Sequence, residues 1–173
     1  MSKLPITLRK LKEADMIECM VLFQNTVHSI NAKDYSITQL EAWAPKTNLE
    51  ITTRWKSLLE NITYVAEYKQ QIVGFGDLTH QGYLDRLFVH RDYQGRGIAA
   101  AIVKKLALCA QNLNLQEIAV EASITAKPFF ERYGFTTVKE QQVKIRGEEL
   151  TNFVMRKALC KKLPLTKDLV PKP

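Results

Sequence analysis

The sequence predicts a mixed α/β fold of the α+β type, a mostly antiparallel sheet flanked by helices. Three observations predict it. Apolar residues alternate between helical and strand spacing in the order β, α, α, β, β, β, α, β, α, β, β. The 173 residues suffice for one well-filled core, and no repeat or low-complexity linker divides them. An apolar strand over residues 84–89 also runs through a charged corner into a glycine-containing turn and then a helix.

Residues 6–9 read as a short strand. From Asp15, a candidate N-cap, Met16, Met20, Phe23, Val27 and Ile30 keep helical spacing. Residues 31–45 read as an irregular stretch carrying Tyr35, Trp43 and Pro45, after which Ile51, Trp55, Leu58 and Leu59 define a second helix ending near Glu60. Residues 62–68 and 72–78 are β-rich runs around Lys69-Gln70-Gln71, the arrangement of a hairpin. Gly74 and Gly76 in the second run imply a bulge or a close backbone approach. Residues 82–89 form the strand entering the glycine turn, and Ile98, Ile102, Val103, Leu106, Ala110 and Leu113 give the next helix its apolar face. Residues 118–120 make a short buried strand, and residues 125–133 a helix with Pro128 in its first turn and Gly134 as its stop. Runs at 135–138 and 149–155, flanking a turn at Arg146-Gly147, are the last strands. Residues 1–159 are thus expected to be one domain, and residues 160–173, with two prolines among the last three, a loose basic tail.

The net charge of +7 invites a nucleic-acid reading until its location is considered. From Arg156 onward six basic residues face one acid, Asp168, so five of the seven charges belong to the C-terminal stretch. Such a stretch is more often a solvated end than a nucleic-acid interface. The opening residues hold no apolar h-region, and the longest apolar run, 98–103, stops at Lys104-Lys105, far short of a membrane span. A cytoplasmic protein without a membrane partner is expected. Cys19, Cys109 and Cys160 are widely spaced and read as buried or free thiols, and His80 and His90 lack ligand spacing, so no metal site is expected.

Gly95 and Gly97 let the backbone turn tightly, and a helix starting near Ile98 would aim its unpaired N–H groups and positive dipole end at that turn, which makes an anion cradle. No Gly-Lys-Ser/Thr follows, and the third glycine of G-x-G-x-x-G is missing, so neither a Walker loop nor a dinucleotide fingerprint fits. Gln94-Gly95-Arg96-Gly97-Ile98-Ala99 instead resembles the Q/R-x-x-G-x-G/A pyrophosphate loop of the GCN5-related N-acetyltransferase (GNAT) superfamily. Arg9 with Asp15, Ile72-Val73-Gly74-Phe75-Gly76 and the Gly-Phe ending of residues 126–135 resemble that superfamily's opening strand and helix, third strand and final helix. Residues 28–45 resemble the H-x-x-N-x-x-D-Y-x-x-x-Q-L-x-A-W-A-P signature of a bacterial subgroup within it.

The resemblance implies a GNAT fold, acetyl-CoA as the cosubstrate, and direct attack of a primary amine on the thioester. It assigns the diphosphate to the main chain of Gln94, Gly95, Arg96, Gly97, Ile98 and Ala99. Leu87, Phe88 and Val89 belong to the same cofactor motif, the Leu87 N–H facing the oxyanion and Val89 pairing with the pantetheine arm. Many relatives carry Asn-x-x-Ala-x-x-x-Tyr near the last helix, the Asn contacting the cofactor and the Tyr protonating the departing thiolate. This chain has Ser123 and Phe130 at those positions, and Phe130 has no proton to give. Tyr133, three residues on, is the candidate acid, with simple packing beneath Gly134 as the competing reading.

A primary amine with a pKa of about 10 must lose a proton, an uphill step of ~4 kcal/mol at neutral pH. Two-residue alternation puts Tyr83, Asp85, Leu87 and Val89 on one face, which makes Asp85 the best-placed base, directly or through water. Against this stands an ion pair between Asp85 and a neighbouring cation, and a bulge in the strand would flip the face. His28, Tyr35 and Trp43 are candidates for an aromatic acceptor pocket; alternatively the two aromatics anchor their loop and His28 is an ordinary helix residue. The expected acceptor is a small-molecule amine and the expected state a monomer or homodimer. A protein amine as acceptor, or a non-catalytic acyl-CoA-binding or nucleic-acid-associated module, are the alternatives.

Overall fold

A computed structural model describes residues 4–46 and 52–160. The strands are β1 (Thr7–Lys10), β2 (Ile62–Tyr68), β3 (Gln71–Leu78), β4 (Tyr83–Val89), β5 (Glu117–Ser123), β6 (Thr136–Ile145) and β7 (Glu148–Ala158). The helices are α1 (Met16–Ser29), α2 (Ile37–Trp43), α3 (Thr53–Glu60), α4 (Ile98–Asn112) and α5 (Lys127–Arg132). Turn chemistry sets two of the hairpins, β2–β3 and β6–β7. Lys69 and Gln70 both take positive φ (48° and 64°), as do Arg146 and Gly147 (45° and 86°), the twist that two-residue connections between antiparallel strands require. One seven-stranded sheet results, ordered β1-β2-β3-β4-β5-β7-β6, antiparallel throughout except for β4 beside β5.

Helix α4 covers one face of the sheet with Ile98, Ile102, Val103, Leu106 and Ala110, all buried. Leu113 lies just past the helix end and is exposed, contrary to the periodicity-based expectation. Both expectations for this run hold: Ala66 pairs with Gly74 but Glu67 with Ile72, so Val73 is an extra residue beside Gly74, and both glycines allow a close approach. A Cβ on Gly74 would stand 2.8 Å from Cγ2 of Ile98, and one on Gly76 2.9 Å from Cγ2 of Ile102. Two missing side chains therefore let α4 settle directly onto β3. On the opposite face, Cys19 and Leu22 of α1 and Leu58 of α3 pack on Val65, Ile72 and Phe75. Burial of each such aliphatic or aromatic side chain favours folding by roughly 1.5–3 kcal/mol.

Two local expectations change. Asp15 has helical dihedrals and does not cap α1; its carboxylate accepts the Lys12 N–H (2.7 Å) and both terminal nitrogens of Arg9 (2.7 and 3.0 Å), tying β1 to the start of α1. These hydrogen bonds from Arg9 hold the Asp15 carboxyl below the usual aspartate range. The stretch read as irregular contains α2. Its start is a reciprocal capping box, the Gln39 N–H donating to Ser36 Oγ (3.2 Å) and the Ser36 N–H to Gln39 Oε1 (2.9 Å). Ile51 and the tail 161–173 lie outside the described residues.

Candidate functional site

Strands β4 and β5 stay together for only two rungs, Tyr83↔Ala119 and Leu84↔Val120, and then part. A cavity of about 1770 Å³ occupies the opening and reaches from the start of α4 to α2 and α3. The β3–β4 register adds a second irregularity at the same place. Asp77 pairs with Arg86 but Leu78 pairs with Leu84, so Asp85 is an extra residue, a bulge. The alternation expected across Tyr83, Asp85, Leu87 and Val89 is therefore broken at Asp85.

Beyond the bulge the hydrogen-bonding phase can be followed. The His90 N–H donates to the Val73 carbonyl at 2.9 Å, so Val73/His90, and with them Phe75/Phe88 and Asp77/Arg86, are the bonded pairs of the antiparallel ladder. The N–H groups of Leu87 and Val89 consequently point away from β3, toward the opening. Phe88 is turned the other way: its amide faces β3, and its ring meets Phe23 edge-on at 4.8 Å on the α1 side. Phe88 therefore borders the same cavity from the α1 side, its amide bonded within the sheet.

The turn after β4 has the geometry of an anion site. Gly95 (φ 71°) and Gly97 (φ 80°) take the left-handed conformation that side chains disfavour. A Cβ on Gly95 would meet nothing within 4 Å, so dihedral strain rather than crowding is the local reason for this glycine. Ala101 donates to Gly97 O as the first intrahelical bond, leaving the N–H groups of Ile98, Ala99 and Ala100 without intrahelical acceptors at the mouth of the cavity. The Ile98 side chain is itself buried against Gly74, so only its backbone serves the turn. Gln94 acts on the loop: its Nε2 donates to Val89 O at 2.6 Å, joining Thr26 Oγ1 (3.0 Å) on that carbonyl. Arg96 lies over the Tyr93 ring, 5.6 Å from its centroid. Three outward amides at the positive end of a four-turn helix, behind two left-handed glycines, fit a diphosphate.

The wall opposite β4 comes from β5 and α5. Ser123 Oγ accepts the Ala126 N–H (3.1 Å) and so caps the turn into α5. Phe130 is 2% exposed and packs on Phe135 and Phe129, giving the wall an apolar backing. Tyr133, the residue after α5, is 40% exposed, borders the cavity and stacks on Phe129 with centroids 4.6 Å apart.

On the far side of β4 the predicted acceptor residues divide. Trp43 borders the cavity and meets Tyr35 edge-on at 5.5 Å and Phe23 at 6.4 Å. Tyr35 also borders the cavity, although it is largely buried, its hydroxyl donating to Thr151 O (2.7 Å) and accepting the Ile124 N–H (2.9 Å). His28 is not among the residues bordering the cavity; its Nε2 bonds the Ala44 carbonyl at 2.7 Å, which makes it a brace for the end of α2. Asp85 borders the cavity with its oxygens occupied, 2.9 Å from Arg86 Nη2 and 3.3 Å from Arg54 Nη2. Arg86 in turn forks onto Asp77, with both contacts at 3.0 Å. Burial pushes the Asp77 carboxyl up while Arg86 pulls it down.

Sequence reasoning missed the Asp77–Arg86 pair and Arg54, since nothing in the spacing of residues 77 and 86 reveals a shared rung. Tyr83, noted only for its strand face, also borders the cavity, and burial beside Glu121 and Asp85 pushes its phenol up to about 12. Among the described residues no His, Cys, Asp and Glu group is arranged to hold a metal ion, and no helix is long and apolar enough to cross a membrane. Cys19 is buried, Cys109 half-buried and Cys160 exposed, all as free thiols.

Comparison with known proteins agrees with this geometry. Residues 31–158 match the family model described as an acetyltransferase (GNAT) domain. The chain is 40% identical over 153 residues to the uncharacterised N-acetyltransferase YafP of Escherichia coli (strain K12), covering 87% of this chain and 95% of YafP. A GCN5-related N-acetyltransferase structure from Rhodopseudomonas palustris superposes with a TM-score of 0.86 at 30% identity, covering 92% of this chain and 99% of that one. The PaiA N-acetyltransferase of Thermoplasma acidophilum, solved in complex with coenzyme A, shares the fold with a TM-score of 0.70 at 17% identity over 90% of this chain and 99% of PaiA. An opening between parallel strands that ends at a glycine-bounded helix start, together with a family match over most of its length, places the chain in the GNAT acetyltransferase family, and it is an acyltransferase.

Proposed function

We propose that the chain moves the acetyl group of acetyl-CoA to a primary amine of a small molecule. One observation carries the reading. Two sets of backbone donors, Leu87 and Val89 in the opening and Ile98 to Ala100 at its end, line a single cavity, as a long thioester with a diphosphate requires. Acetyl-CoA is the cosubstrate, and its thioester supplies the activated acyl group. The amides of Ile98, Ala99 and Ala100 hold the diphosphate without desolvating a side-chain charge. The Val89 N–H fixes the adjoining arm, its carbonyl being already engaged by Thr26 and Gln94.

The Leu87 N–H donates to the acyl oxygen and strengthens that bond as negative charge develops. On the acceptor side, Trp43, Phe23 and Phe88 form an apolar aromatic wall suited to a small organic amine. Asp85 accepts the amine's proton through water once the exposed Arg54, the longer of its two contacts, gives way. Tyr133 donates a proton to the leaving sulfur. Thiol release from acetyl-CoA across a panel of small amines tests the reading. Binding of coenzyme A with no thiol release for any amine would make the chain a binding module instead, and full rates across pH for both Asp85→Asn and Tyr133→Phe would remove those two residues from the mechanism.

A further inference from the structure

Beyond the last shared rung at Leu84↔Val120, the end of β5 has no β4 beside it. From there to Ser123 it is paired on one edge only, with β7. Besides β7, the stretch between α1 and α2 ties down the tip of β5. Tyr35, buried, places one hydroxyl between two elements, donating to Thr151 O of β7 (2.7 Å) and accepting the Ile124 N–H just past β5 (2.9 Å). Next to it, Asp34 Oδ2 accepts Thr125 Oγ1 at 2.6 Å. Two of these three contacts, to Ile124 and Thr125, end on the turn that launches α5, where Ser123 also caps Ala126.

We infer that Asp34 and Tyr35 form a clasp that sets the width of the opening between β4 and β5, making them positioning residues for the cofactor. The inference rests on the reading of that opening as the coenzyme A site. An unclasped tip leaves the α5 wall, with Phe129 and Tyr133, free to drift relative to the Leu87 and Val89 amides, so binding would then have to order it. This adds to the pocket-lining role the sequence suggested for Tyr35: its hydroxyl is engaged by two backbone groups while the residue borders the cavity.

Tyr35→Phe keeps the ring against Trp43 and removes both hydrogen bonds of the hydroxyl. We expect amide exchange at Ile124 and Ala126 to accelerate about tenfold with α4 unchanged, and the dissociation constant of coenzyme A alone to rise about tenfold. Asp34→Ala and Thr125→Val should each weaken coenzyme A several-fold, and the double variant no further, because both remove the same contact. Asp34→Asn, which keeps an acceptor oxygen, should bind like the parent. Equal coenzyme A affinity in parent and Tyr35→Phe overturns the clasp as a positioning device, even if local exchange speeds up. No binding by the parent overturns the reading of the opening and the clasp with it.

Discussion

Removing the Asp77 carboxylate is the severest single test of how the site is supported. Asp77 is fully buried and Arg86 is 5% exposed, and the pair bridges β3 and β4 one residue from the Asp85 bulge. Asp77→Ala strips Arg86 of two 3.0 Å contacts and takes the acceptor from Asn61 Nδ2, leaving a guanidinium with Ser57 Oγ, the Arg54 carbonyl and Asp85. Breaking a buried pair by deleting one partner costs about 3–5 kcal/mol. In a domain of this size each kcal/mol lowers the melting temperature by about 2–4 °C, so a drop of roughly 6–20 °C is expected by calorimetry. Replacing both residues, Asp77→Leu with Arg86→Met, should recover most of that loss, because the two buried charges leave together and Asp85 keeps Arg54. A single variant that melts within about 2 °C of the parent, or a double variant that melts at the sum of the single losses, would refute the claim that the ion pair is an obligate unit.

Three further outcomes follow from the same geometry. Gly74→Ala should cost about 1–3 kcal/mol by pushing Ile98 and the start of α4 off β3, seen as a lower urea midpoint; an unchanged midpoint would mean that α4 does not rest there. Because Arg9 depresses the Asp15 pKa in the fold, this pair's stabilisation is complete above the unfolded carboxyl's pKa of about 3.9 and is lost as pH falls through the lower folded value. The urea-midpoint gap between the parent and Asp15→Asn should accordingly shrink below about pH 4, and a gap constant down to pH 2 would contradict the assignment. Arg54→Ala removes the exposed cation 3.3 Å from Asp85 that has to give way before proton transfer, so turnover of a small amine should hold or rise, whereas a rate lost with Arg54 would contradict that release.

Legibility from sequence followed the range of the interaction. The β2–β3 hairpin, the glycine turn and the stop at Gly134 depend on the residues that form them, and the structure places each where local chemistry puts it. Helix α2 was equally local, announced by Ser36-x-x-Gln39, but its seven residues are too few for apolar spacing to stand out beside the aromatics of the loop. The Asp85 bulge belongs to another class, since it exists only in the register between β4 and its partner. With it went the strand face on which the base assignment rested. Phe88 shows the same limit: the motif locates its backbone, but only the ladder reveals that its amide faces β3 and its ring the aromatic wall. Tyr35 and His28 stand out in sequence, yet what they hold, Thr151 with Ile124 and Ala44 respectively, becomes known only once the chain has folded.

The most direct measurement is a titration of the isotope-labelled chain with coenzyme A, following backbone amide resonances. Saturable shifts concentrated at Leu87, Val89 and Gly97 to Ala100, with β6 unaffected, are the predicted result. Shifts confined to other surfaces, or none at millimolar coenzyme A, would contradict a cofactor gripped by that turn and laid along β4.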